Sequence, residues 1–374
     1  MKNAMTVESN DKNKGRYDFM SPIFSYVFSG IAVLAVVYLI FFMFRLINAS
    51  AEKERRTREE MMNGSFQNMI PGNGDVPFGA DRNIFEQQAD WTVQNTNLPV
   101  FRNAESADSN NAVPQNDKAE HILFGTSSVI GTRKTQQDAV VVSDTEFLQS
   151  NDFNRGIAVL CDGMGGLSGG ELASFVTTKT IHDDFVFMNP ENIPEFFKAE
   201  VIKTDEIVYG LQDETGKLLG AGSTLASVVI DGDKLYWVSV GDSRIYIIRN
   251  SEMVRVTNDH NYYTLLKQKA DSGQITQEEA RNDPRADALI SFIGIGKGSL
   301  TDLNEQPFVL QNGDTILLCS DGLYKTLSDQ KIAQILLTNG QNPSSAATAL
   351  TQAVMAENKR GQDNATVAVV KYYK

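Results

Sequence analysis

The chain has 374 residues, a formal net charge of -13 and a hydrophobic fraction of 41%, enough for one large domain with extensions. The acidic balance argues against nucleic acid as the main partner, because a phosphate backbone is bound by clustered Lys and Arg. Two cysteines, Cys161 and Cys319, are too few for a disulfide framework.

Residues 1–20 read as a short tail. The uncharged run from Ser21 to Phe44 is rich in Ile, Val, Leu, Phe and Tyr. It exceeds the roughly 20 residues that a helix needs to span a hydrocarbon core, and it has no polar face. Ala49-Ser50-Ala51 resembles a small-residue cleavage site, but the apolar stretch outlasts the roughly 7–15 residues of a signal peptide. The expectation is therefore one uncleaved transmembrane helix. Basic residues flank both ends, with Lys2, Lys12, Lys14 and Arg16 before the run and Arg45, Lys53, Arg55, Arg56 and Arg58 after it. This distribution slightly favours a cytoplasmic C-terminal side. Residues 45–118 read as a charged juxtamembrane segment followed by a flexible linker rich in Asn, Gln, Gly, Pro, Ser and Asp.

Residues 119–374 read as the folded part. Short apolar runs predict strands at Ala139–Val142, Gly156–Cys161, Thr224–Ile230, Leu235–Val240, Arg244–Arg249, Thr315–Cys319 and Thr366–Tyr372. Asp231-Gly232-Asp233 is a hairpin signal. Helical periodicity covers Glu171–Asn189, Asn192–Asp213, Tyr262–Ser272, Gln330–Asn339 and Ser344–Asn358. Strands that cluster with few intervening helices fit an α+β fold of antiparallel sheets flanked by helices better than a doubly wound parallel sheet. The cysteines read as buried core thiols. Strand alternation turns Cys161 away from the face carrying Asp162 and places Cys319 on the face of Asp321.

The chemistry lies in the aspartates. Asp162, Asp242, Asp321 and Asp363 each fall near the end of an apolar strand or in a tight Gly turn, and Asp138 immediately precedes a strand. Converging carboxylates repel one another and carry raised pKa values unless cations neutralise them. All-oxygen donors suit Mg²⁺ or Mn²⁺. With three histidines and two core-like cysteines, zinc fits poorly.

The motifs form a recognisable series. They comprise Gly131-Thr-Arg133-Lys-Thr-Gln-Gln137-Asp138, Val159-Leu-Cys-Asp162-Gly163-Met164-Gly165-Gly166 and Gly169-Gly170-Glu171. Next come Gly222-Ser223-Thr224, Val240-Gly241-Asp242-Ser243-Arg244 and Thr257-Asn-Asp259-His260. Leu317-Leu-Cys-Ser320-Asp321-Gly322-Leu323 and Gly361-Gln-Asp363-Asn364-Ala-Thr366 complete it. In this order they resemble the bacterial branch of the PP2C-type metal-dependent protein phosphatases. The resemblance implies an α-β-β-α sandwich of two stacked antiparallel sheets flanked by helices, with a dinuclear Mn²⁺ or Mg²⁺ centre at one end.

By the same resemblance, Asp162, Asp321 and Asp363 would ligate one ion. Asp162 would bridge to the second, helped by the Gly163 carbonyl and by Asp138, and Asp242 would serve a third, looser site. Arg133 matches the arginine that binds the substrate phosphate. The implied reaction is hydrolysis of phosphoserine and phosphothreonine in proteins, the products of a serine/threonine kinase, by a metal-activated water. The position of a histidine found in some relatives is Met164, so the proton donor for the leaving group is not identified. His260 reads as a structural hydrogen-bonder at a turn. Gln136, Leu167, Asn261 and the stretch Asn282–Asp287 depart from the family pattern outside the ligand set. The segment from Tyr262 to Asp287 is where the family places a mobile flap. Two other readings stand beside an active membrane phosphatase with a cytoplasmic catalytic domain. One is a catalytically weak or inactive phosphoprotein-binding module, and the other is a membrane scaffold that works through its span and tether.

Overall fold

The computed structural model describes residues 122–151, 154–165, 169–296 and 298–374. The expected tail, membrane span and linker, residues 1–118, lie outside the described residues. No helix among the described residues is long and apolar enough to cross a membrane.

The chain opens with β1 (Ile122–Val129), β2 (Asp138–Val142), the short α1 (Thr145–Ser150) and β3 (Arg155–Met164). Two long helices follow, α2 (Gly169–Met188) and α3 (Ile193–Tyr209). Then come β4 (Gly222–Ser223), β5 (Leu225–Asp231), β6 (Lys234–Val240), β7 (Arg244–Arg249) and β8 (Glu252–Arg255). A helical pair, α4 (Tyr262–Asp271) and α5 (Gln277–Asn282), precedes β9 (Asp302–Leu303), β10 (Phe308–Val309) and β11 (Thr315–Cys319). The chain closes with α6 (Asp321–Tyr324), α7 (Asp329–Asn339), α8 (Pro343–Ala356) and β12 (Ala365–Tyr372).

The strands form two antiparallel sheets. One has the order β1-β12-β11-β7-β8; the other is β10-β6-β5-β3-β2, with β4 on β3 and β9 on β6. Side chains alternate between faces along a strand, and both faces are covered. On β3, Ala158 and Leu160 enter the core between the sheets, while Ile157, Val159 and Cys161 pack with Ile181 and Phe185 of α2 and Phe197 of α3. On β11, Ile316 and Leu318 join the central core, while Leu317 and Cys319 pack against Ile332 and Leu336 of α7 and Leu350 of α8. The result is four layers, helices–sheet–sheet–helices. Double burial explains why these strands are continuous apolar runs rather than polar–apolar alternations. Each Val, Leu, Ile or Phe side chain among them, fully buried, stabilises the fold by about 1.5–3 kcal/mol.

The helix starts follow from their caps. Asn192, Asn261, Ser328 and Asn342 each accept a hydrogen bond from a backbone N–H in the first turn of their helices. Thr276 and Glu279 form a reciprocal capping box at α5. Several expectations need correction. The sequence pattern does not anticipate β1, α1, β4, β8, α5, β9, β10 or α6, because each is short or has a weakly periodic apolar pattern. Helix α3 ends at Tyr209 rather than Asp213. The strand expected from Thr224 begins at Leu225, and Thr224 lies between β4 and β5. Cys319 does not share a strand face with Asp321, because β11 ends at Cys319 and Asp321 begins a helical turn.

Candidate active site

Register brings the acidic residues to one end of the sandwich. Asp138 opens β2 and pairs directly with Asp162 near the end of β3. Cross-strand partners share a sheet face, and Asp162 lies two residues beyond Leu160 of the central core. Both carboxylates therefore face the gap between the sheets. On the second sheet Cys319 pairs with Arg244 at the start of β7 and with Val367 near the start of β12. Asp321 follows β11, Asp363 precedes β12, and Asp242 sits in the crossover from β6 to β7. That crossover passes from one sheet to the other in three residues, so the strand ends that carry the five aspartates meet at the same end.

The backbone under these residues is tightly stitched. The Asp162 N–H donates to Thr224 Oγ1 at 2.8 Å, and Thr224 Oγ1 is 2.7 Å from Ser243 Oγ. Asn364 is a hub: its Oδ1 accepts from the Gln137 N–H at 2.8 Å, and its Nδ2 donates to Ile130 O at 2.9 Å and Thr135 O at 3.2 Å. These bonds pin the loop carrying Arg133 to the start of β12. A Cβ at Gly163 would overlap the carbonyl oxygen of Gly170, and one at Gly322 would overlap that of Asn364. Glycine is what lets the chain pass this closely behind Asp162 and Asp321. Arg244 forms a bidentate pair with Asp259 at 3.0 and 2.7 Å and lies 3.5 Å over the Tyr324 ring. The Tyr324 hydroxyl donates to the Asp242 carbonyl at 2.9 Å.

Electrostatics mark the cluster as short of positive charge. Burial, then hydrogen bonding from Ser320 acting in the opposite sense and repulsion from Asp321 and Asp363, leaves Asp138 raised to about 6. Burial, followed by repulsion from Asp138, Asp321, Asp242 and Asp363, holds Asp162 well above the usual carboxylate range. Burial and Asp321 push Asp242 up to about 6 against the attraction of Lys325. Arg133 and Lys325 bring positive charge to the cluster. Arg133 Nη2 donates to Asp363 Oδ2 at 2.5 Å, and that hydrogen bond is the main cause of its raised pKa. Lys325 Nζ donates to Asp321 Oδ2 at 2.7 Å and lies 3.8 Å from Asp242 Oδ2.

The donors fit hard divalent cations. Asp138 Oδ1 and Asp321 Oδ1 are buried without a hydrogen-bond partner, the condition in which an oxygen gains most from an ion. Among the described residues, no three His, Cys, Asp or Glu side chains close into a tight cage.

All the predicted site residues, Arg133, Asp138, Asp162, Gly163, Asp242, Asp321 and Asp363, lie at this end. Arg133 is exposed at the mouth and engaged by Asp363. His260 is buried, accepts from the Gly241 N–H at 3.2 Å, and is pushed down to about 4 by burial. It is a neutral structural hydrogen-bonder. The segment from Tyr262 to Asp287 carries α4 and α5. Sequence reasoning missed the roles of Ser320, Asn364, Thr224 and Lys325. The first three stand inside the quoted motifs. Lys325 stands four residues after Asp321, the spacing of an acid–base pair on a helix.

The relationships of the chain agree with this architecture. The Protein phosphatase 2C profile matches residues 122–265, and that of Stage II sporulation protein E (SpoIIE) matches residues 198–373. Protein phosphatase PhpP of Streptococcus pneumoniae serotype 2 is 30% identical over 224 residues, covering 59% of this chain and 87% of that protein. The S. agalactiae serine/threonine phosphatase superposes with a TM-score of 0.57 at 29% identity, over 68% of this chain and 100% of that one. The catalytic domain of serine threonine protein phosphatase PstP, crystallised with 2 manganese ions, gives a TM-score of 0.54 at 27% identity, over 68% of this chain and 99% of that one. With its fold, its clustered aspartates and these relatives in agreement, the chain belongs to the protein phosphatase 2C family.

Proposed function

We propose that this chain is a metal-dependent phosphatase that hydrolyses phosphoserine and phosphothreonine in proteins. The observation that carries the reading is the convergence of five carboxylates from both sheets, two of them with buried, unpartnered oxygens. Asp162, Asp321 and Asp363 would hold one Mn²⁺ or Mg²⁺, and Asp162, Asp138 and the Gly163 carbonyl the second. Bound ions supply Lewis acidity that readies a water for attack on phosphorus and offsets phosphoryl charge.

The protein's own residues do the rest. Arg133, on the exposed rim, leaves its pairing with Asp363 to take the phosphoryl oxygens, its planar fork donating to two oxygens of the tetrahedral phosphate. Ser320 holds Asp138, and Thr224 holds the backbone of Asp162, so the carboxylates keep their aim. Neither cysteine is a nucleophile: burial pushes both thiols far above their ordinary value.

The uncharged run from Ser21 to Phe44 supports a single-span membrane anchor, and the flanking basic residues favour a cytoplasmic catalytic domain. The substrates are then phosphoproteins at the inner membrane face, made by a serine/threonine kinase.

The test is phosphate release from a phosphothreonine peptide by the full chain with Mn²⁺, and then with excess chelator. Release that the chelator abolishes is the expected result. A folded, metal-loaded protein that releases no phosphate would instead be a phosphoprotein-binding module. A reporter fused after Lys374 should be found in the cytosol, and an exported reporter would reverse the orientation.

A further inference from the structure

The chemistry above leaves Lys325 without a role, yet Lys325 is built into the acidic cluster. It terminates the turn α6, with its N–H donating to Asp321 O at 2.9 Å. This places its stem on the same side as the Asp321 side chain. Its ammonium is 2.7 Å from Asp321 Oδ2 and 3.8 Å from Asp242 Oδ2. The Lys325 side chain is 35% exposed, against 7% for Asp242 and 16% for Asp321, so it covers the outer side of both carboxylates. The position is braced. The neighbouring Tyr324 hydroxyl is tied to Asp242 O at 2.9 Å, and Lys359 Nζ donates to Lys325 O at 2.8 Å. Burial works against the charge on Lys325, but attraction from Asp321 and Asp242 more than offsets it, and the group is held above its ordinary value.

Asp242, in the crossover between the sheets, is by resemblance the residue of a third, looser ion. A divalent cation between Asp242 and Asp321 would need the oxygens that Lys325 already neutralises. It would also sit within a few ångströms of the ammonium, where like charges repel strongly. We propose that Lys325 is a tethered cation standing in for a third metal ion, so that the chain binds two divalent ions and takes no third. This rests on the reading of the cluster as a metal centre. It adds that one part of the centre is neutralised permanently by the chain itself, independent of metal concentration.

The experiment counts manganese bound to the full chain, by equilibrium dialysis with metal analysis and by the electron paramagnetic resonance of free Mn²⁺. Wild type is expected to saturate at two ions, Lys325→Ala at three, and Lys325→Arg at two. Adding Asp242→Asn to Lys325→Ala should return the count to two. A wild type that binds three ions, or a folded Lys325→Ala protein that stays at two, overturns the role of Lys325 and leaves the metal centre standing. A wild type that binds no manganese overturns the centre itself. If Lys325→Ala does not fold, Asp242→Asn alone decides: the count should remain at two, and a lower count overturns the proposal.

Discussion

Ser320 Oγ donates to Asp138 Oδ2 at 2.7 Å, a bond between residues 182 positions apart that joins the two sheets at the end where the carboxylates gather. Ser320 Oγ also accepts from the Thr366 N–H at 3.0 Å, so one hydroxyl ties β11, β12 and β2 together. Replacing it leaves a buried carboxylate oxygen without its donor. Ser320→Ala should destabilise the chain by about 1–3 kcal/mol in urea unfolding. It should also weaken Mn²⁺ binding on the order of 10–100-fold, because Asp138 loses its orientation.

Asp162→Asn separates function from stability. The variant keeps the shape of the side chain and removes the charge that four neighbouring carboxylates oppose. Phosphate release with Mn²⁺ should fall on the order of 10²–10³-fold. In chelator, the same variant should melt at a higher temperature than wild type, because the repulsion is gone. Unchanged activity would remove Asp162 from the mechanism.

Arg133→Ala addresses the rim. Its side chain is 53% exposed and its partner Asp363 is 37% exposed, so their pairing contributes little to stability. Unfolding free energy should change by less than about 1 kcal/mol. Steady-state kinetics on a phosphopeptide should show a loss on the order of 10²-fold. Arg133→Lys should recover part of it, since the charge remains and the planar fork is lost.

The metal-free protein should depend on pH through its buried carboxylates, Asp138, Asp162 and Asp242, of which Asp242 shows the sign. Its carboxyl is raised from 3.8 to about 6, mainly by burial and then by Asp321. The folded state therefore binds more protons than the unfolded state between these values, and stability falls as pH rises. The contribution of this group is fully present below pH 4 and is lost as pH passes through about 6. In chelator, urea midpoints should drop across this window, by an amount on the order of 3 kcal/mol for this group. Asp242→Asn should reduce the slope, the raised Asp138 and Asp162 accounting for the rest, and Mn²⁺ should shrink it by competing with protons for the cluster.

The layered fold was readable because its strands are buried on both faces and its helices carry an apolar period. The strand from Gly156 to Cys161 and the helix from Tyr262 are examples, one defined by an unbroken apolar run and the other by helical periodicity, to which the structure adds the cap at Asn261. Elements such as β1 and β8 were not readable. β1 alternates toward exposed residues at its second half, and β8 is four residues at a sheet edge. Neither has a pattern that local periodicity distinguishes from a loop.

By itself the sequence determined the types of group in the site and their setting: five aspartates at strand ends, two with a following glycine, and an arginine in the first motif. These are local facts, carried by neighbours in the chain. Tertiary structure alone decided which groups meet. Nothing local pairs Ser320 with Asp138, anchors the Gln137 N–H on Asn364, or brings Asp242 to the local pair of Lys325 and Asp321. Those contacts arise when antiparallel register and the three-residue crossover at Asp242 bring distant strand ends together, a closure that no window of the sequence contains.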